Sequence, residues 1–251
     1  MNDLRISAVS YLNTFPFVYG ILKSGFLKNF RLELDVPSIC AKKFQTGKAD
    51  IALVPVASLP EINDPVIVSG YCLGAVQEVK TVLLLSQKPL SEITRIHLDF
   101  DSRTSVQLVR VLATHYWHID PLYDSLNPGQ AELLIKPESL VAIGDKTFAM
   151  RKWFPYSYDL ATEWIEFTGL PFVFAVWVAT GDLPEESLES FKDALAFGIN
   201  HKIEALEFFK DRLPDFDDCL SYLEKNISYN FDETKKQGLE LFLKLLEKTG
   251  R

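Results

Sequence analysis

The sequence has few cysteines, and none of them is arranged as a redox or metal motif. Cys40, Cys72 and Cys219 are the only three among 251 residues, and they lie far apart without a CxxC pair. An odd number of widely spaced cysteines is typical of a reducing compartment. We therefore expect free and mostly buried thiols.

Several signals for export, membranes and nucleotides are also missing. The chain starts Met-Asn-Asp-Leu-Arg and enters a strand pattern at once, which predicts no signal peptide. No apolar run is long enough to span a bilayer, and the longest, Phe172 to Ala179, fits a buried strand. GxSxG, P-loop and GxGxxG motifs do not occur. The sequence therefore predicts a cytoplasmic protein without membrane insertion, and it does not indicate an oligomeric state.

Positive charge is in deficit. The chain has 26 basic and 34 acidic residues, a formal net charge of −8 and a pI of about 5.1. Nucleic-acid binding relies on clustered lysine and arginine, so the composition argues against it. A small anionic ligand remains compatible, because local N–H groups and one arginine can outweigh a distant net charge.

A metal site is not predicted either. His115 and His118 are three residues apart on a predicted helix, but further ligands at matching spacing are missing nearby. A packing or surface role is the expected one for both.

Strand-like and helix-like segments alternate over the first 180 residues and are followed by a helical C-terminal part, which predicts an α/β fold. Long strands near 79–86 and 172–180 flank the middle third. This pattern predicts two lobes joined by two crossings, with a ligand cleft between them. The expected boundaries are 1–84 and 178–251 for lobe I and 85–177 for the inserted lobe II, with a further strand at Ala131–Ile135.

The most informative segment is the turn from Val9 to Phe17. A short apolar strand, Leu4–Val9, runs into a polar turn, and Pro16 stands where a helix could begin. Asn13 and Thr14 thus lie between the carboxyl end of a strand and the amino end of a helix, where open α/β proteins bind ligands and helix N–H groups favour anions. The alternative is that Asn13 or Thr14 only caps the helix.

Three more polar segments lie on predicted strands or directly after them. Thr81 lies on the long strand near 79–86, after Val79-Lys80, and its alternative role is that of an ordinary strand threonine. Ser102, Arg103, Thr104 and Ser105 open a helix whose hydroxyls and N–H groups could bind a carboxylate, or could simply cap it, with Arg103 solvated. Gly144 and Asp145 end a strand, and Asp145 could orient a hydroxyl, take a proton or form a surface turn.

These residues carry a resemblance to a known family. The chain resembles the chorismate dehydratases of the futalosine route to menaquinone. The matching stretches occur in the family's order: Val9-Ser10-Tyr11-Leu12-Asn13-Thr14 with Pro16; Asp50-Ile51-Ala52-Leu53-Val54-Pro55-Val56; Ser102-Arg103-Thr104-Ser105; Ile143-Gly144-Asp145; and Thr168 through Ala175 with Trp177.

The resemblance implies a fold like the type II periplasmic binding proteins and loss of water from chorismate without a cofactor. It implies Asn13 and Thr81 as catalytic residues, although the family often has serine where Thr81 stands. It implies a binding site for the anionic substrate, formed by the following residues: Ser10, Tyr11, Thr14, Ser102, Arg103, Thr104, Ser105, Gly144 and Asp145.

Two other functions remain open. A solute-binding protein for a small organic anion would share the fold, but the expected lack of an export signal argues against it. The sister 1,4-dihydroxy-6-naphthoate synthase of the same pathway typically begins Ser-Pro-x-Pro-Asn-Asp, which is absent here.

An obvious protein base is also missing from the sequence, so a carboxylate of the substrate could abstract the proton itself.

Overall fold

The chain divides into two compact units. A computed structural model describes residues 3–99, 102–126, 137–213 and 215–249. Unit 1 consists of residues 1–74 and 173–232, and unit 2 of residues 75–172 and 233–251. The chain therefore passes from one unit to the other three times.

Strands and helices alternate along most of the described chain. The strands are β1 Leu4–Val9, β2 Phe30–Asp35, β3 Ile51–Pro55, β4 Val66–Ala75, β5 Val82–Ser86, β6 Arg95–Asp99, β7 Leu122–Leu126, β8 Ser139–Ile143, β9 Tyr156–Asp159, β10 Phe172–Ala179 and β11 Ser228–Asn230. The helices are α1 Phe15–Lys23, α2 Pro37–Gln45, α3 Arg103–Leu112, α4 Thr147–Met150, α5 Leu160–Thr168, α6 Glu185–Asn200, α7 Lys202–Phe208, α8 Phe216–Lys225 and α9 Glu233–Thr249.

Unit 1 is built on a six-stranded sheet in the order β11-β4-β10-β3-β1-β2. β1 pairs with β2 and β3 in parallel, whereas β10 runs antiparallel to β3. All five residues of β3 are buried, as expected for an apolar strand in the middle of a sheet covered on both faces. The carboxyl ends of β1, β2 and β3 consequently lie at one edge of this sheet.

Unit 2 is built on a five-stranded sheet in the order β7-β6-β8-β5-β9. β6 and β8 are parallel, and β5 is antiparallel to β8, with Val82 opposite Ile143. The carboxyl ends of β6 and β8 therefore share one edge with the amino end of β5.

The last helix belongs to unit 2. Phe242 of α9 is fully buried, with its ring centroid 6.0 Å from that of Trp164 and 5.1 Å from that of Phe172. A Cβ on Gly238 would come within 2.2 Å of the Pro171 carbonyl oxygen, so α9 lies against the main chain there. This packing explains why residues 233–251 group with unit 2.

The predicted lobe boundaries differ from this division in three places, and the shortest difference is residues 173–177, predicted for lobe II but part of unit 1. The prediction assigned residues 1–84 and 178–251 to one lobe, but β5 pairs with β8 and β9 in the sheet of unit 2. The helical C-terminal part is likewise split, because α6, α7 and α8 lie in unit 1 and α9 in unit 2.

Other sequence predictions are confirmed or corrected by the strands themselves. The strand at Leu4–Val9 and the buried strand at Phe172–Ala179 are confirmed. The sequence pattern predicts a short strand at Val66–Val68 with breaks at Gly70 and Gly74, but β4 runs through both glycines to Ala75, so the predicted breaks are wrong. The predicted strand at Ala131–Ile135 lies outside the described residues.

The three cysteines are free and buried, which confirms the expectation for the thiols. In the described part of the chain, no helix combines the length and the apolar character that crossing a membrane requires.

Candidate functional site

The turn from Ser10 to Thr14 follows β1 directly, in unit 1. Leu12–Thr14 form one short 3-10 turn, and α1 begins at Phe15 with a proline in its first turn. Proline suits this position, because its missing N–H would have no partner inside the helix and its φ angle is already helical. The sequence thus forces an abrupt change from strand to helix at Asn13.

Thr14 shapes this turn from the inside. Its side chain is fully buried, and its hydroxyl lies 2.5 Å from the Val9 carbonyl oxygen and 2.6 Å from that of Tyr11. Its N–H also donates to the Tyr11 carbonyl. Because the hydroxyl already donates to the main chain, Thr14 contributes the shape of the turn.

Asn13 is held by its main chain and not by its side chain. The Tyr229 hydroxyl donates to the Asn13 carbonyl oxygen at 2.9 Å. The Oδ1 atom of Asn13 is buried and has no hydrogen-bond partner among the described residues. The first turn of α1 has no side-chain cap at Thr14, so the capping alternative for this turn is wrong.

The helical C-terminal part of the chain supports the turn from Ser10 to Thr14. The sequence did not predict this support. Tyr229 is buried and packs edge-on against Phe17 at 5.1 Å, and burial raises its pKa well above the usual value, so its hydroxyl stays a donor. Arg212 donates to the Ser10 carbonyl oxygen at 2.7 Å. Both contacts span about 200 positions of sequence, which no local pattern could signal.

Ser58 is a second polar residue that the sequence did not single out. It lies in a 3-10 turn, Val56–Glu61, that follows β3. Its side chain is fully buried, and its Oγ has no partner among the described residues. Because β1 and β3 are parallel neighbours, Ser58 and Asn13 follow strand ends at the same edge of the sheet.

In unit 2, Thr81 and Gly144 are direct neighbours. The Gly144 N–H donates to the Thr81 carbonyl oxygen at 2.9 Å, and Gly144 adopts a φ of 72° that favours glycine. The Thr81 hydroxyl is buried and lies 3.4 Å from the Val79 carbonyl oxygen. Asp145 is exposed. The strand predicted near 79–86 begins only at Val82, so Thr81 directly precedes it instead of lying on it.

Asp159 fixes the chain just before Thr81, and sequence reasoning missed this residue too. Its carboxylate accepts the N–H groups of Val79 and Lys80, at 3.0 and 2.7 Å, and also caps α5. Burial raises the pKa of Asp159 more than these N–H groups lower it. These bonds help to hold Lys80 at a φ of 64°, which a lysine seldom adopts.

Ser102 to Ser105 open α3 after β6, as predicted. Ser102 is the N-cap, and its Oγ accepts the Ser105 N–H at 3.1 Å, so the capping alternative is confirmed for this residue. Thr104 and Ser105 are buried, and Arg103 is half-buried. Since α3 follows β6, this turn lies at the same sheet edge as Gly144 and Thr81.

The predicted site residues therefore form two groups. Those between Ser10 and Thr14 belong to unit 1, and those from Thr81 to Asp145 belong to unit 2. Within each unit, they gather at one sheet edge. The roles assigned to them, and a cleft that both groups share, stay predictions. Among the described residues, no cluster of three or more histidine, cysteine or acidic side chains is suited to a metal ion.

Comparison with protein families and curated proteins links nearly the whole chain to one pathway. The model of a family described as menaquinone biosynthesis matches residues 4–248. A curated protein named chorismate dehydratase, from Thermus thermophilus, is 25% identical over 240 residues, which cover 88% of this chain and 88% of that protein.

Solved structures show the fold. Protein AF1704 from Archaeoglobus fulgidus superposes with a TM-score of 0.78 at 16% identity, covering 99% of this chain and 98% of its own. A Candida albicans protein with the generic periplasmic binding protein fold gives 0.66 at 14% identity, covering 99% and 94%. An alkanesulfonate-binding protein from Xanthomonas axonopodis gives 0.66 at 13%, covering 99% and 93%. The chain therefore has the periplasmic-binding-protein fold.

Proposed function

Because the chain belongs to the menaquinone-biosynthesis family, we propose that it removes water from chorismate to give 3-[(1-carboxyvinyl)oxy]benzoate. The reaction would be the first step of the futalosine route to menaquinone. The relative named chorismate dehydratase supports this choice within the family. The proposed location is the cytoplasm, which suits three free, buried thiols.

The main task of the protein in this reaction is to position the substrate. The ring carbon that bears the enolpyruvyl ether loses its proton, and the neighbouring carbon loses its hydroxyl group. The electron pair of the broken C–H bond forms the last double bond of a benzene ring, and the proton and hydroxide together make water. Aromatisation drives the reaction, so orientation of the substrate and assistance to the leaving hydroxide can supply most of the catalysis.

One observation supports the proposal that Asn13 is a catalytic residue. Its Oδ1 is buried without a partner among the described residues, although the turn around it is bonded at Ser10, Tyr11 and Thr14. Buried polar atoms are usually paired, so an unpaired amide oxygen at a strand-to-helix turn is available to a ligand. The substrate's ring hydroxyl can donate to this oxygen and accept from the amide nitrogen as it leaves.

The residues of unit 2 are proposed to bind the substrate. The α3 amino terminus at Ser102–Ser105 offers a helix dipole that favours a carboxylate. Thr81 and Gly144 are joined by a main-chain hydrogen bond, so they would act as one rigid element. Asp145 is exposed, and its carboxylate would be repelled by a substrate that carries two carboxylates, so it is poorly suited to act as the base.

The proton is proposed to go to the enolpyruvyl carboxylate of the substrate itself. A chorismate analogue that lacks this carboxylate should then bind without reacting. Rapid dehydration of such an analogue would show that another base is at work.

The proposed activity is tested by incubating the protein with chorismate and following the aromatic product by absorbance and mass. Formation of 3-[(1-carboxyvinyl)oxy]benzoate is the expected result. Tight binding of chorismate without any product would favour a solute-binding protein instead. No reaction of chorismate, with conversion of the pathway's later intermediate to dihydroxynaphthoate, would favour the sister enzyme.

A further inference from the structure

We propose that Arg212 binds the ring carboxylate of the substrate, an inference that rests on the proposed function. Arg212 ends a short 3-10 turn, Lys210–Arg212, in the C-terminal part of unit 1. Its guanidinium donates to the Ser10 carbonyl oxygen at 2.7 Å and lies over the Phe15 ring, 4.8 Å from the centroid. It therefore contacts residues on both sides of the segment that contains Asn13.

The guanidinium is held in place but is not neutralised. Phe15 and Phe209 stack with a centroid distance of 4.3 Å, and Arg212 lies over both rings, at 4.8 and 5.9 Å. No carboxylate of the described residues lies within ion-pair distance of Arg212, and one of its five N–H donors is used by Ser10. A planar, exposed guanidinium whose other N–H donors are unused is suited to bidentate binding of a carboxylate.

A second cation lies near the same turn. Lys202 Nζ is 5.7 Å from the centroid of Tyr229, the residue whose hydroxyl donates to the Asn13 carbonyl. The chain as a whole carries a net charge of −8. Two cations therefore lie against aromatic rings that contact this turn.

The chemistry of the substrate decides which carboxylate Arg212 should bind. Removal of the proton next to the ether leaves negative charge that spreads through the conjugated ring onto the ring carboxylate. A cation at that carboxylate stabilises the developing charge. The enolpyruvyl carboxylate, by contrast, has to remain basic to accept the proton, and an ion pair would lower its pKa.

The first test compares three variants in the chorismate assay. Arg212→Gln should lower kcat/KM by about 10- to 100-fold, the range expected for loss of a charge-assisted hydrogen bond. Arg212→Lys should recover part of that loss. Lys23→Gln is the matched control, because Lys23 also lies over an aromatic ring of unit 1, 4.6 Å from the Phe208 centroid, at the far end of α1. A kcat/KM of Arg212→Gln within about threefold of wild type would overturn the proposal.

The second test separates substrate binding from support of the turn. The methyl ester of the ring carboxylate cannot form the ion pair. The ratio of kcat/KM between wild type and Arg212→Gln should therefore be large for chorismate and close to one for the ester. Equal ratios for the two substrates would mean that Arg212 only holds the turn, and the proposal would fail.

A binding measurement keeps this inference distinct from the proposed function. Calorimetric titration with 3-[(1-carboxyvinyl)oxy]benzoate and with its ring methyl ester needs no turnover. Weaker binding of the diacid, but not of the ester, to Arg212→Gln supports the carboxylate site even if wild type does not dehydrate chorismate. Unchanged binding of the diacid contradicts it, whatever the protein's activity.

Discussion

Asn13 combines a rigid main chain with an unpaired side chain. Its carbonyl accepts from Tyr229, and its neighbours Ser10 and Thr14 are each bonded to other parts of unit 1. A buried carbonyl oxygen without a partner destabilises a fold by about 1–3 kcal/mol. Residues that destabilise the free protein while fixed in position are typical of sites prepared for a ligand.

Substitutions of the adjacent residues Asn13 and Thr14 should affect stability differently. Asn13→Ala should leave the free energy of unfolding unchanged or raise it, because no side-chain hydrogen bond is lost. Thr14→Val keeps the volume but removes the hydroxyl that donates to Val9 or Tyr11, and it should lower the free energy of unfolding by about 1–2 kcal/mol. Denaturant unfolding measures both. A loss of about 1 kcal/mol in Asn13→Ala would restore the role of a helix cap.

The interactions of Glu138 should make the stability of unit 2 sensitive to acid. Burial alone would raise its pKa, but the N–H groups of Thr94 and Arg95 and the ammonium of Lys88 outweigh this and hold the pKa at about 2. The ordinary value is 4.5. The stabilisation is therefore complete above about pH 4.5 and is lost as the pH falls towards about 2.

The Glu138→Gln variant should accordingly be less stable than wild type at pH 7, and its stability should fall less than that of wild type between pH 4.5 and 2. Melting temperatures across this pH range measure the effect. Glu247→Gln, at an exposed position of α9, serves as the control. An acid profile of Glu138→Gln identical to that of wild type would contradict the assignment.

At the scale of elements, two glycines set how closely α1 approaches α6. A Cβ on Gly198 would come within 1.8 Å of the Pro16 carbonyl oxygen, and one on Gly20 within 2.0 Å of the Ala194 carbonyl oxygen. Both clashes are with main chain, which cannot move aside cheaply. The position of α1, and with it that of the preceding turn, therefore depends on these residues.

Gly198→Ala should lower the free energy of unfolding by about 3 kcal/mol or more and reduce turnover, because α1 has to shift. Gly181→Ala is the matched control in the same unit, since a Cβ there meets nothing within 4 Å. Urea unfolding and the chorismate assay report the two effects. Wild-type stability of Gly198→Ala would mean that the two helices can separate without loss.

The elements also show how far the sequence can predict the fold. The apolar runs at β1, β3 and β10 and the Pro16 start of α1 follow local rules, and the structure has them. β4 extends well beyond its predicted end at Val68, because strand pairing overrides the preference of Gly70 and Gly74 for breaks.

The candidate site shows the same limit. Asn13 and Ser102 can be found from a strand-to-helix pattern. Tyr229, Arg212 and Asp159 cannot, because they reach the site through contacts between residues 79 to 216 positions apart.

At the scale of the whole molecule, the chain ends in unit 2 although the preceding helices belong to unit 1. The α9 helix completes the aromatic cluster of Trp164, Phe172 and Phe242. Unit 2 thus depends on three separate crossings of the chain and on its last helix.

Phe242→Ala should therefore lower the free energy of unfolding by about 3–5 kcal/mol through the cavity it leaves. Trp153→Ala removes a large aromatic side chain that is 63% exposed in the same unit and should have little effect. Hydrogen exchange should show lost protection in α5 and α9. Equal stability of the two variants would contradict a structural role for the last helix.

The most direct test of the account is a single-turnover experiment with chorismate. Wild type, Asn13→Ala and Asn200→Ala, an exposed control at the end of α6, are each mixed in excess over chorismate, and the aromatic product is quantified over time. We expect product with wild type and Asn200→Ala, and a rate about 100- to 1,000-fold lower with Asn13→Ala, whose stability should be unchanged or higher. Equal rates for Asn13→Ala and wild type, or no product with wild type, would contradict it.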